Sequence, residues 1–270
     1  MSMRLLARGV TFSATSASGK SAKPSASTTG VDPSKVALTN WSGTNYINDS
    51  NTTFTRRYFP AFVNFVGTNV TIDQCYFADG VQFTRADGLV VQDSSIKAGI
   101  SVSSVNGATF RRVDVDGTSG DIMHITGDQN NNTIPCRNIT IEDSFLHGPE
   151  PGVGDHNDGI QVRGCLGLTL TRTVIDMGPW VLAPDGNNAL NAALFLQNAN
   201  GGNSNVVVTD CWMNGAGYTL QCDPVSGTFA VTGLQVGKDY EFGVFTGAAT
   251  LTSQSNNRIE GTIQSITLGP

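Results

Sequence analysis

The chain has 270 residues, a formal net charge of −6 and only 14% charged residues, against 31 glycines. That acidic balance without a basic block excludes the phosphate-neutralising surface a nucleic-acid binder needs. No apolar run approaches the roughly 18 residues of a membrane span, so membrane insertion is not expected.

Residues 1–35 form a Ser-, Ala- and Lys-rich tail of the kind that lacks a core of its own and needs a partner to order it. Met1 to Ala14 carries Arg4 and Arg8 around a short Leu5–Leu6 pair, which is too little apolar sequence for a cleavable signal peptide. Residues 36–62 hold Trp41, Tyr46, Phe54, Tyr58 and Phe59 and are expected to cap the open core of a solenoid.

From 63 to 222 the sequence repeats. Asn69, Gly88, Gly107, Asn138, Gly167 and Asn205 each open a unit, and these residue types tolerate a left-handed corner. Two inward apolar positions follow, as in Val70 and Ile72, then a small residue such as Cys75, then an apolar one such as Phe77. The corner residues are 19 positions apart twice and further apart thereafter, so later units carry insertions. A short strand precedes each corner, at 81–83, 100–102, 122–124, 160–162 and 194–196. This pattern predicts an all-β, single-stranded, right-handed parallel β-helix with an N-terminal cap and a C-terminal β cap. In the 122–124 strand this spacing points His124 inward.

One column adds independent support. Gln74, Asp93, Arg112, Asp143, Arg172 and Asp210 occupy equivalent places, with charge alternating from Asp93 onward. Rungs stacked roughly 4.8 Å apart would set opposite charges side by side. The five cysteines show no metal-ligand spacing and are expected to be buried thiols. Residues 223–270 change pattern and are expected to form the C-terminal cap or an oligomerisation element.

The run EDSFLHG at 142–148, followed by DHNDGIQ at 155–161, resembles pectate-lyase-like β-helix proteins of actinobacteria and of their bacteriophage tails. The resemblance covers about residues 30–215. It implies a virion tail or other extracellular location and contact with a host-surface polysaccharide. Other virion subunits would be partners, and such coils with caps often form homotrimers.

The insertions 127–135, 148–154 and 178–191 are expected to wall a groove beside the candidate catalytic residues His156, Asp158 and Arg163. His147, Asp155, Gln161, Trp180 and Trp212 are the candidate glycan contacts, the tryptophans by stacking on sugar rings. Asp158–Gly159 also matches the corner Asp79–Gly80 and is open to reading as a plain turn, with Arg163 pairing to Asp158 as a structural ion pair. The polygalacturonase pattern survives only as Asn157–Asp158–Gly159, with Asn191 and no carboxylate on the next rung. A uronate lyase would need a base such as His156, Arg163 as the cation, and Ca²⁺ held by Asp155 and Asp158. Incomplete catalytic sets favour a tail protein that contacts glycan. A polysaccharide lyase or depolymerase, or a purely structural subunit, remain the alternatives, and no cofactor is assigned.

Overall fold

The computed structural model describes residues 22–117, 119–127, 134–187 and 189–269. Among these the strands are short and lie in three parallel sheets, wound as a right-handed parallel β-helix. Sheet A runs from Thr39–Asn40 to Arg258–Ile259, sheet B from Tyr46–Ile47 to Gly243–Thr246, and sheet C from Thr53–Thr55 to Ser253–Ser255. Every rung visits A, B and C in turn.

The corner column behaves as its residue types require. Asn69, Asn138 and Asn205 sit at φ of 54°, 53° and 52°, and Gly88, Gly107 and Gly167 also have positive φ. The charged column is a second left-handed corner, with Asp93, Arg112, Asp143, Arg172 and Asp210 at φ between 45° and 50°. There Arg112 grips Asp93 and Arg172 grips Asp143, each through Nε and Nη2 at 2.6–2.7 Å.

Alternate strand residues point inward, so the core is one continuous column. Phe59 stacks on Phe77 at 4.5 Å and Phe65 on Phe83 at 5.6 Å, giving the N-terminal half its largest fully buried side chains. All five cysteines are buried free thiols.

The coil extends beyond 63–222 at both ends. The aromatic segment 36–62 supplies the first rungs, and Trp41 closes the core by packing 5.6 Å from both Phe54 and Phe59. Residues 223–260 pair in parallel with the preceding rungs, and the chain then folds back so that Leu268 covers the last one. The caps are thus terminal rungs plus short covering segments. Part of the N-terminal tail is also held by the chain itself. Val31 is buried on sheet A, where Ser95 Oγ donates to its carbonyl and accepts from its N–H, both at 2.9 Å. Lys23 reaches Glu260 at 2.6 Å. The rest of the tail, residues 1–21, lies outside the described residues. No helix of the described chain is long and apolar enough to cross a membrane.

Candidate functional site

The strand on rung five of sheet B is Met123–Thr126, one residue later than the spacing suggested. Met123 pairs with Ile100 and Ile160, so Met123 and Ile125 fill the core. A shift of one residue turns every side chain to the opposite face of a strand. His124 therefore points outward, in a ladder with Gln82, Ser101, Gln161 and Phe195. The inward placement expected of His124 is corrected by this register. A second outward ladder runs Thr84, Ser103, Thr126, Arg163 and Gln197.

Two cavities open on this face and share Ser101 and His124. One, of about 700 Å³, is lined by Tyr46, Gln82, Thr84, Arg85 and Ser103. The other, of about 270 Å³, is lined by Phe62, Asp79, Ala98, Gly99 and Asp121. Together they form one groove over the N-terminal rungs, rimmed by the exposed rings of Tyr46 and Phe62.

At the C-terminal side of this groove the polar groups become buried. Asp158 is 1% exposed, and its Oδ1 accepts from Asn191 Nδ2 at 3.1 Å and from the Ala192 N–H at 2.9 Å. Its own N–H donates to Asp121 Oδ1 at 2.9 Å. Burial, and then the charge of Asp121, push the Asp158 carboxyl well above the usual range. Asp121 is raised to about 6, chiefly by burial, with the Asp158 N–H and the charge of Arg163 opposing. His124 is lowered to about 4 by burial and by Arg163, so its ring is neutral at pH 7. Its Nδ1 lies 3.6 Å from Asp121 Oδ2. His124 Nε2 and Arg163 Nε are buried atoms without a hydrogen-bond partner among the described residues.

The residues singled out from sequence separate onto different surfaces. Gln161 and Arg163 do lie on sheet B, and Asp158 stands at its edge. No ion pair joins Arg163 to Asp158 among the described residues; the guanidinium acts on Asp121 and His124 instead. Asp155 turns back within its own loop and accepts from the Gly152 N–H at 2.6 Å, and His156 is exposed beside it. His147 and Trp212 face outward from sheet A. There His147 stacks on Phe145 at 3.9 Å and its Nε2 lies 3.1 Å from Asp114. Trp180 packs edge-on against Phe242, 5.8 Å away, in the loops joining sheet A to sheet B. Among the described residues no three His, Cys, Asp or Glu side chains converge as metal ligands; Asp155 is engaged with the Gly152 N–H, and Asp158 with Asn191 and Ala192.

Asp121 was not singled out from sequence, because the polygalacturonase pattern places its second carboxylate one rung after Asp158 and Asp121 lies one rung before. The signal was available. Two residues ahead of the first paired position of sheet B stand Asp79, Ala98, Asp121 and Asp158 on successive rungs.

No protein-family model matches this chain. No curated protein matches it either. Its coil is similar to ORF18 of Geobacillus virus E2, at 9% identity and a TM-score of 0.34, over 84% of this chain and 56% of that one. It is also similar to the catalytic domain of a GH87 α-1,3-glucanase in complex with nigerose, at 10% identity and a TM-score of 0.32, over 92% and 69% of the two chains. This chain thus spans little over half of the phage protein. At these scores neither likeness carries a functional assignment.

Proposed function

We propose that the protein contacts a surface polysaccharide along the outer face of sheet B, as a tail component of a phage that infects actinobacteria. The observation that carries the contact is the groove itself. It is floored by amide, hydroxyl and imidazole groups in register, Gln82, Ser101 and His124 in one row and Thr84 and Ser103 in the next. Successive rungs repeat at roughly 4.8 Å, close to the length of one sugar residue in an extended chain. Neutral hydrogen-bonding rows with aromatic rings at the rim suit sugar hydroxyls and the apolar faces of sugar rings. The tail placement rests on the sequence run at 142–161, and it gives the chain other virion subunits as partners and a homotrimer of its own copies as its assembly.

Sedimentation of the full chain with purified actinobacterial envelope polysaccharide tests the contact. Ser101→Arg and Ser103→Arg fill the groove with long charged side chains and are expected to weaken retention at least 10-fold. Retention unchanged in both variants, or no retention of the wild type, would overturn the reading.

A further inference from the structure

The smaller cavity of the groove holds a mixed set of groups that contact alone does not need. Asp79 lies on rung three and Asp121 on rung five, with Ala98 and Gly99 between them. Two rungs separate their backbones by roughly 10 Å. The small residues leave the floor between the two carboxyls open, and Phe62, 44% exposed, stands at its edge. His124 enters from the adjacent row with a buried Nε2 that has no hydrogen-bond partner among the described residues, and Arg163 Nε is in the same condition one rung further on.

The two carboxyls are differently placed. Asp79 is at the surface, its Oδ1 fixed by the Gly80 N–H at 2.7 Å. Asp121 is mostly enclosed, and the N–H of Asp158 occupies its Oδ1. A proton on Asp121 therefore resides on Oδ2, the oxygen on the His124 side. Asp158 cannot serve as the second carboxyl, because it is 1% exposed and committed to Asn191 and Ala192. It is a positioning residue for Asp121.

We infer that Asp121 and Asp79 are an acid–base pair that hydrolyses a glycosidic bond with inversion, on a sugar chain lying in the sheet B groove. This rests on the proposed polysaccharide contact. Asp121 Oδ2–H gives its proton to the glycosidic oxygen as the bond from that oxygen to the anomeric carbon breaks. A water between Ala98 and Asp79 gives a proton to Asp79 as its oxygen bonds to the anomeric carbon from the opposite face. The products are a hemiacetal of inverted configuration and a free hydroxyl, and solvent returns the proton from Asp79 to Asp121. Inverting pairs stand about 6.5–9.5 Å apart to admit that water, whereas a covalent mechanism needs about 5–5.5 Å. Two rungs suit the first and one rung the second. The enclosure that favours a protonated Asp121 is the usual way a carboxyl is made a general acid near neutral pH.

The test uses the full chain and an actinobacterial envelope polysaccharide that it retains in the sedimentation assay. Wild type is expected to release reducing ends without absorbance at 235 nm. The first-formed anomer, followed by proton NMR, is expected to be opposite to the linkage cleaved. Asp121→Asn and Asp79→Asn keep the hydrogen-bond acceptors at both places, and each is expected to lower release at least 100-fold with retention unchanged. Glu241→Gln, far along the coil, is expected to behave as wild type. Retention without any release would overturn the acid–base pair and leave the contact standing. A product absorbing at 235 nm, or one of retained configuration, would overturn inverting hydrolysis. Absence of retention would remove both readings.

Discussion

The backbone N–H of Asp158 donates to Oδ1 of Asp121, 2.9 Å away across one rung, so the main chain of one turn fixes a mostly enclosed carboxyl on the turn before. That relationship ties the groove to the core beneath it. Changes at either residue are therefore readable both in stability and in function.

Burial raises Asp121 from 3.8 to about 6, so between those values the folded protein holds a proton the unfolded chain has released. Stability from this group is complete below pH 3.8 and is lost as pH rises through 6. His124, lowered from 6.5 to about 4, runs the other way: its contribution is complete above 6.5 and is lost as pH falls through 4. Asp121→Asn removes the first and leaves the second. The variant is expected to be more stable than wild type at pH 7.5 by on the order of 1–3 kcal/mol, and to lose that advantage as pH falls to 4. Urea denaturation at pH 4, 6 and 7.5 checks this, and an advantage that grows on acidification would contradict it.

Asp158→Ala strips the acceptor from two enclosed donors, Asn191 Nδ2 and the Ala192 N–H. Each donor left unpaired costs about 1–3 kcal/mol, so a total loss of about 2–6 kcal/mol is expected. Asp158→Asn keeps one acceptor oxygen and is expected to lose less than half of that. Chemical denaturation of the pair measures the difference.

Gly159 is a steric requirement. A Cβ there would lie 2.3 Å from Ile175 Cγ2 and 2.4 Å from the Ala193 carbonyl oxygen. Gly159→Ala is expected to cost at least about 3 kcal/mol. At Gly120, where a Cβ meets nothing within 4 Å, the same change is expected to stay within about 0.5 kcal/mol. Thermal melts of the two variants decide whether the chain is close-packed at Gly159, beside Asp158, and open at Gly120.

Arg172 sits at φ 45° and holds Asp143 from a side chain 35% exposed. Arg172→Gly loses an exposed pair worth about 0.2–1 kcal/mol and relieves the left-handed backbone, so a near-neutral change is expected. Arg172→Val loses the pair and puts a β-branched residue where φ is positive, so it is expected to be clearly destabilising. Melting both at low and high salt separates the terms: only the ionic part fades with salt.

The repeat of corner residues, alternating apolar positions and small residues was enough to specify a parallel coil, because each rung must turn at a left-handed corner and bury every second side chain in a shared core. The alternating column likewise announced its own pairs, since Arg112–Asp93 and Arg172–Asp143 follow from stacking alone. Sequence also grouped Asp158, Gln161 and Arg163 around the 160–162 strand, which the fold extends to Asn157–Arg163. It could not place His124, because the insertion before Met123 hides the strand start and one residue of register decides between core and groove. Nor could it join Asp79 to Asp121, or part His147 and Trp212 from Arg163. Those residues meet or separate only by which sheet and which rung they fall on. Insertions of unequal length erase that from the spacing, and the hydrogen-bonded register of the folded coil restores it.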